Sequence, residues 1–217
     1  MDTAGFTVAA ALVGAIAGVL SVRNLRTLRY RYDNEAALPH PSSVAWVLPT
    51  AVIAAAALGL RLSPDRPWAL LLLAPLAITG PWLAAVDLDV HRLPDRVLGP
   101  VAIASLLAVI VVSAATHRLQ VPVLGGIGLV LAGGCYFALH LVGGGAVGLG
   151  DVKLAAILGL ALGAVGLGVL WWAMLLSSLL CLAWVAVTRR GKPSSTRIAF
   201  GPWMLLGSLL AVAVFAP

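Results

Sequence analysis

Charge is what this sequence has least of. Only 10% of its 217 residues are charged, against about 25% in an ordinary globular chain, and its eight acidic side chains include a single glutamate, Glu35. With 61% hydrophobic residues and a mean hydropathy of +1.05, an ordinary soluble domain is excluded and lipid must be a large part of the solvent. Cysteine is almost as scarce. Cys135 and Cys181 lie in apolar blocks without CxxC or Cys/His spacing, so no disulfide framework and no metal or cluster site follows from them. No Lys or Arg precedes the first apolar stretch, where Asp2 is the lone charge; this is the reverse of a cleavable secretory signal, and the segment is expected to stay in the mature protein. The net charge of +6 does not point to nucleic acid, because fourteen basic residues separated by apolar blocks of 17 residues or more cannot form one continuous stripe. No tandem repeat or low-complexity linker divides the chain, so residues 1–217 are expected to form one membrane domain.

What the sequence does have is apolar length. A helix needs about 20 apolar residues to cross roughly 30 Å of hydrocarbon. Eight blocks qualify or nearly qualify, at about 5–22, 43–60, 68–86, 97–115, 121–142, 152–169, 170–187 and 199–216. The expected fold is therefore an all-α polytopic helix bundle of about eight transmembrane helices, with six or seven also compatible. The stretch 152–187 must break, since 36 residues would make a helix about 54 Å long, and the Trp171-Trp172 pair suggests a break at an interface near 169–170. With eight spans, the loops after spans 1, 3, 5 and 7 hold eleven basic residues and the other side three, Arg61, Arg66 and Arg118. The positive-inside bias then places residues 23–42 and 188–198 in the cytoplasm and both termini outside. Arg23, Arg26, Arg29 and Arg31 read first as topology determinants and lipid-phosphate contacts. Gly14 with Gly18 and Gly159 with Gly163 are spaced to let helices approach closely in lipid, although a Gly-rich composition accounts for them equally well.

Chemistry has to be found among few groups. The serines of the apolar blocks have no His or Lys at a helix-face spacing, and His40, His91, His117 and His140 are scattered, which leaves the acids. Asp2, Asp33, Glu35 and Asp65 belong to the outer tail or to polar loops. Asp87 follows directly on the apolar run 82–86, where an acid is costly and functional by default. After it come Asp89, Pro94, expected to stop the helix, and Asp95, expected to cap the next one. The second site is the run 143–154, whose five glycines Gly143, Gly144, Gly145, Gly148 and Gly150 precede Asp151 and Lys153. So many glycines cannot hold a helix, at about 1 kcal/mol each relative to Ala, and irregular backbone at membrane depth must face protein or water. Gly148 and Gly150 are expected to let an extended peptide backbone approach, with Asp151 fixed at the start of the following span. Two carboxylates at one membrane level can divide the work of hydrolysis, one ionised and taking a proton from water, the other protonated and donating to the scissile carbonyl.

The spacing from Asp87 to Pro94-Asp95 resembles the first motif of the type IV prepilin peptidases, and residues 148–154 (Gly-Leu-Gly-Asp-Val-Lys-Leu) resemble their GxGD motif with its trailing Lys-Leu. Phe200-Gly201-Pro202 matches the family's Phe-Gly-Pro before the last span, and the likeness runs from about residue 44 to 216. The resemblance implies an aspartic endopeptidase that cuts the short basic leader from prepilins or pseudopilins at the cytoplasmic face of the inner membrane. It implies Asp87 and Asp151 as catalytic residues, Gly148, Gly150, Lys153, Pro94 and Asp95 as the supporting loop, and no metal or cofactor. Long family members carry a cytoplasmic domain, often with two CxxC pairs, between spans 1 and 2, associated with methylation of the new N-terminus. Here that stretch is residues 23–42 and has no Cys, and residues 18–24 only partly match the family's Gly-Ser-Phe-x-Asn start, so peptidase activity without methylation is expected. Lys153 reads equally as an orienting partner of Asp151 or as a topology anchor; Asp89 and Asp95 read as solvated turn or cap residues, and His140 as a hydrogen-bonded core histidine. The alternatives are a small proton-coupled transporter or channel subunit, whose acids belong near the midplane, and a catalytically silent membrane scaffold. The sequence carries no signal for oligomeric state.

Overall fold

The computed structural model describes residues 2–35, 37–39, 41, 43–62, 65–143, 147–188 and 198–216. Among these residues the regular elements are eight α-helices and one short 3₁₀ turn, and the molecule is an all-α polytopic membrane bundle. The helices are α1 (Thr3–Arg26), α2 (Val47–Leu62), α3 (Trp68–Val90), α4 (Asp95–Thr116), α5 (Gln120–Val142), α6 (Leu149–Val165), α7 (Leu167–Thr188) and α8 (Gly201–Phe215). Five of them, α1, α3, α4, α5 and α7, are long and apolar enough to cross a membrane, at 22 to 24 residues each; α2 and α8 are shorter apolar helices of 16 and 15 residues. Large apolar side chains such as Leu12, Ile16, Ile103 and Val130 point outwards, as a lipid-facing surface requires.

At the centre runs α6, in which every residue from Leu154 to Val165 except Ala156 is buried. A helix that is apolar all round has no water face and belongs inside. Along one side it packs on α5 through glycines: a Cβ on Gly128 would collide with the Gly159 carbonyl, and one on Gly163 would lie 2.6 Å from the Leu124 carbonyl oxygen. Gly14 and Gly18 serve the same purpose between α1 and α2, facing Ala51 and Leu48. Both expected glycine pairs thus mark close helix contacts. The remaining scaffold is α7 along α8, with α3 touching α1, α2, α4, α6 and α8.

The break between α6 and α7 lies at Gly166 rather than at 169–170, and Trp171 and Trp172 sit inside α7. Trp172 stacks on Phe215 of α8 at 4.3 Å, so it is placed by a neighbouring helix rather than by a turn. At this end of the bundle Arg61 donates to the Ala216 carbonyl and Arg66 to the Val165 carbonyl at 3.4 Å, covering the C-termini of α8 and α6, while Arg118 lies 5.7 Å from the Trp68 ring. All of the candidate chemistry gathers at the opposite end. The basic residues Arg189, Arg190, Lys192 and Arg197 used in the topology count lie outside the described residues.

Candidate active site

The helix that carries Asp87 ends later than the apolar run alone indicated. It continues to Val90, and His91 takes a left-handed conformation (φ 51°) whose N–H closes the last turn on the Asp87 carbonyl at 2.9 Å. Pro94 is therefore not its stop: it lies three residues further on, extended (φ −72°, ψ 128°), and leads into α4. Asp95 is already inside the first turn of α4 and makes no capping bond there. It pairs instead with Lys153, Oδ1 to Nζ 2.7 Å, in an exposed bridge between the starts of α4 and α6. Lys153 thus spans the two motifs rather than touching Asp151.

One turn before that helix end, Asp87 is buried, with only 3% of its surface exposed. A buried carboxyl needs a partner. Its Oδ2 accepts a 2.9 Å hydrogen bond from the backbone N–H of Gly201, the first residue of α8. Gly201 is a necessity of space as well, because a Cβ there would lie 2.9 Å from Asp87 Oδ2. The Phe-Gly-Pro motif therefore meets the first acidic motif directly.

Asp151 lies three residues into α6, whose cap is Gly148 in an extended conformation (φ −68°, ψ 147°). Its N–H donates to the Gly148 carbonyl at 3.0 Å, and its carboxylate folds back against Gly148. Half-buried, it stands within electrostatic reach of Asp87. Gly150 does not offer itself to a peptide: the space a side chain would take is filled by Leu93, whose Cβ, N and O would lie 3.0, 3.3 and 3.4 Å from an added Cβ. Gly148 likewise faces the Asp151 carboxylate, 3.3 Å from an added Cβ. These two glycines let the α3–α4 turn and the second acid pack together. Gly144 and Gly145 lie outside the described residues.

Two participants escaped sequence reasoning. Tyr136 on α5 is buried, only 5% exposed. Its ring packs on Phe200 at 5.7 Å. The available signal was that, of the three tyrosines, it is the one inside an apolar block. The other is the Gly201 N–H, whose motif was visible although its target was not. His140 donates from Nδ1 to the Val147 carbonyl, 2.7 Å away, and so ties the end of α5 to the chain leading into α6.

Below the acids, a second layer of polar pairs fixes the end of α3. Asp89 is no solvated turn residue: it accepts from Arg31 at 2.7 and 2.9 Å and from the Tyr30 hydroxyl at 2.7 Å, with side chains of Arg31 and Asp89 only 4% and 8% exposed. Arg31 also donates to the Leu38 and Pro39 carbonyls, so it is an internal strut rather than a lipid contact. Burial, followed by the bond to Asp89, pushes the Tyr30 hydroxyl up to about 12. Arg92 forms a two-pronged pair with Glu35 at 2.6 Å, donates to the Tyr30 carbonyl and lies 3.7 Å over the Tyr32 ring. Hydrogen bonding to Arg92 holds the Glu35 carboxyl below its usual range. Asn24 accepts from the Trp82 indole at 3.0 Å, tying the end of α1 to α3.

Among the described residues no three His, Cys, Asp or Glu side chains come together as a metal site. An apolar groove of about 380 Å³ lies between α2, α3 and α8, with Leu76, Gly80, Ala84 and Leu88 on its α3 wall and Pro202 and Leu206 on α8. Its upper end is bounded by the neighbours of Asp87 and Gly201.

The family model described as the type IV leader peptidase family matches residues 71–186, which take in both acids, the α3–α4 turn and the glycine motif. Neither a curated protein nor a solved structure matches the chain.

Proposed function

The chain belongs to the type IV leader peptidase family, and on that premise we propose that it is an aspartic endopeptidase in which Asp87 and Asp151 form the catalytic pair. The observation that carries the reading is the convergence of two carboxylates from the packed helices α3 and α6 at one end of the bundle, the first hydrogen-bonded to the Gly201 backbone and the second lying against Gly148. In this reading the two acids share one proton between them and act as one unit. The ionised partner takes a proton from water as the water oxygen attacks the scissile carbonyl; the protonated partner gives its proton to the carbonyl oxygen. Collapse of the tetrahedral diol returns a proton to the departing amine and restores the pair.

The substrate class is the basic leader segment of prepilin or pseudopilin-like chains, cut at the cytoplasmic face of the cell membrane. Two features support this. The positive-inside bias of the sequence favours the cytoplasmic side for residues 23–42, and for the end of the bundle that holds both acids. The apolar groove that ends beside Asp87 offers room for an apolar portion of a membrane-borne substrate. No acid stands at the centre of a long span, which leaves the transporter reading without an observation in its favour.

The test is cleavage of a synthetic basic-leader prepilin peptide by purified protein in lipid nanodiscs. Asp87→Asn, Asp151→Asn and the double variant should each be inserted normally and be inactive, with losses far from additive because the pair works as a unit. An amide can hydrogen-bond, but it can neither take a proton from water nor return it. Full activity in either single variant removes the proposal.

A further inference from the structure

We propose that the backbone N–H of Gly201 is the positioning donor of the site: it holds Oδ2 of Asp87 and so leaves Oδ1 as the oxygen that exchanges protons with water and substrate. The inference rests on the aspartic peptidase reading and assigns a task to a residue 114 positions away in the chain.

The geometry is specific to one backbone amide. The N–H groups of a helix's first turn have no partner within the helix, so the first residue of α8 has a donor to spare. Gly201 is buried and points that donor at Asp87 Oδ2 over 2.9 Å. Among the described residues it is the one hydrogen-bond donor to the Asp87 side chain, and Oδ1 receives none. Any side chain at 201 would put its Cβ 2.9 Å from Oδ2 and 3.4 Å from Cγ, so only glycine lets the backbone come this close. Pro202 follows at once and directs the chain into α8. On the other side of the amide, Phe200 packs on Tyr136 of α5 at 5.7 Å. The same turn thereby holds Asp87 directly and is itself anchored on α5 through a ring contact. A carboxylate held by one oxygen keeps a single orientation, and orientation fixed before the reaction is where most of a site's advantage over water arises.

The test deletes the N–H without adding atoms. Glycolate in place of Gly201 in the full-length chain replaces the N–H by an ester oxygen and leaves the space beside Asp87 untouched. In nanodiscs, the infrared carboxyl band of Asp87, isolated as the difference between parent and Asp87→Asn, should shift in the ester variant; this readout needs no cleavage. With the synthetic leader peptide, kcat should fall roughly 100-fold, the order expected for one preorganised donor, with KM changed by less than about twofold and the pH profile of kcat displaced. A matching ester at Trp203 removes the 3.1 Å bond from its N–H to the Phe200 carbonyl in the same turn and should keep the parent's kcat and pH profile. An unmoved infrared band, or an unchanged kcat and pH profile in the Gly201 ester, overturns the proposal and reduces Gly201 to a spacer. A shifted band in a protein whose parent cleaves no leader peptide overturns the peptidase reading, and the positioning role with it, while showing that the hydrogen bond itself exists.

Discussion

Replacing Gly150 by Ala tests the packing that joins the two acidic motifs. The new Cβ would lie 3.0 Å from Leu93 Cβ, 3.3 Å from its N and 3.4 Å from its O. These are mostly backbone atoms of a turn held by Pro94 and by the left-handed His91, so the neighbour cannot rotate away as a side-chain tip would. Overpacking of this kind costs about 1–3 kcal/mol. Because the position is in the first turn of α6, Ala also recovers up to about 1 kcal/mol of helix propensity. The net expectation is a loss of about 1–2 kcal/mol, and a displacement of the α3–α4 turn by a few tenths of an ångström. If a 1 Å misplacement costs about 100-fold in rate, this smaller shift should cost roughly 10-fold in kcat. Gly126→Ala is the matched control: nothing lies within 4 Å of its added Cβ, and it should stabilise α5 by about 0.5–1 kcal/mol without affecting cleavage. The assay is thermal unfolding in detergent followed by tryptophan fluorescence, beside leader-peptide cleavage. If Gly150→Ala behaves like Gly126→Ala in both measurements, the contact does not position the motifs and the reasoning fails.

Other consequences are accessible to the same methods. Arg31→Ala removes the two-pronged cationic partner of the buried Asp89 and should cost about 3 kcal/mol, whereas Arg31→Ala combined with Asp89→Asn should recover part of it; an unaltered unfolding temperature in the single variant would contradict the strut. Glu35 has its carboxyl held below the usual 4.5 by Arg92, so its contribution to stability is complete above that value and is lost as pH falls through the lower folded value. The stability gap between the parent and Arg92→Gln should accordingly shrink on acidification from about pH 5 toward pH 3, and a gap that stays constant would refute the assignment. Cysteines introduced at Asn34 and Ser194 should resist an impermeant thiol reagent in intact cells and react after lysis; labelling of either before lysis would reverse the topology.

Much of the architecture could be read along the chain because transfer of apolar residues out of water is a local property. Long hydrophobic blocks and the few charges between them marked the helices with no knowledge of their neighbours. The same scarcity of charge singled out Asp87 and Asp151, since an acid abutting an apolar run stands out against a background that has so few. Where local signals were weak, partners elsewhere decided the outcome. The α6–α7 break lies at Gly166, and Trp172, inside α7, stacks on Phe215 of α8. Asp89 looked like a solvated turn residue, but Arg31 and Tyr30, almost 60 positions earlier, enclose it.

The glycines show the division most sharply. The glycine run marked Gly148 and Gly150 as places where the backbone departs from ordinary helix or has to come close to something, Gly201 stood out only through the resemblance of its Phe-Gly-Pro motif, and the scarcity of charge marked the acids as the groups able to do chemistry. Which surface each glycine approaches depends on how α3, α4, α6 and α8 dock, and docking is set by side chains distant in sequence. Only the tertiary structure therefore brought Leu93 against Gly150 and the Gly201 N–H onto Asp87, because a hydrogen bond across 114 residues leaves no periodicity and no spacing in the chain.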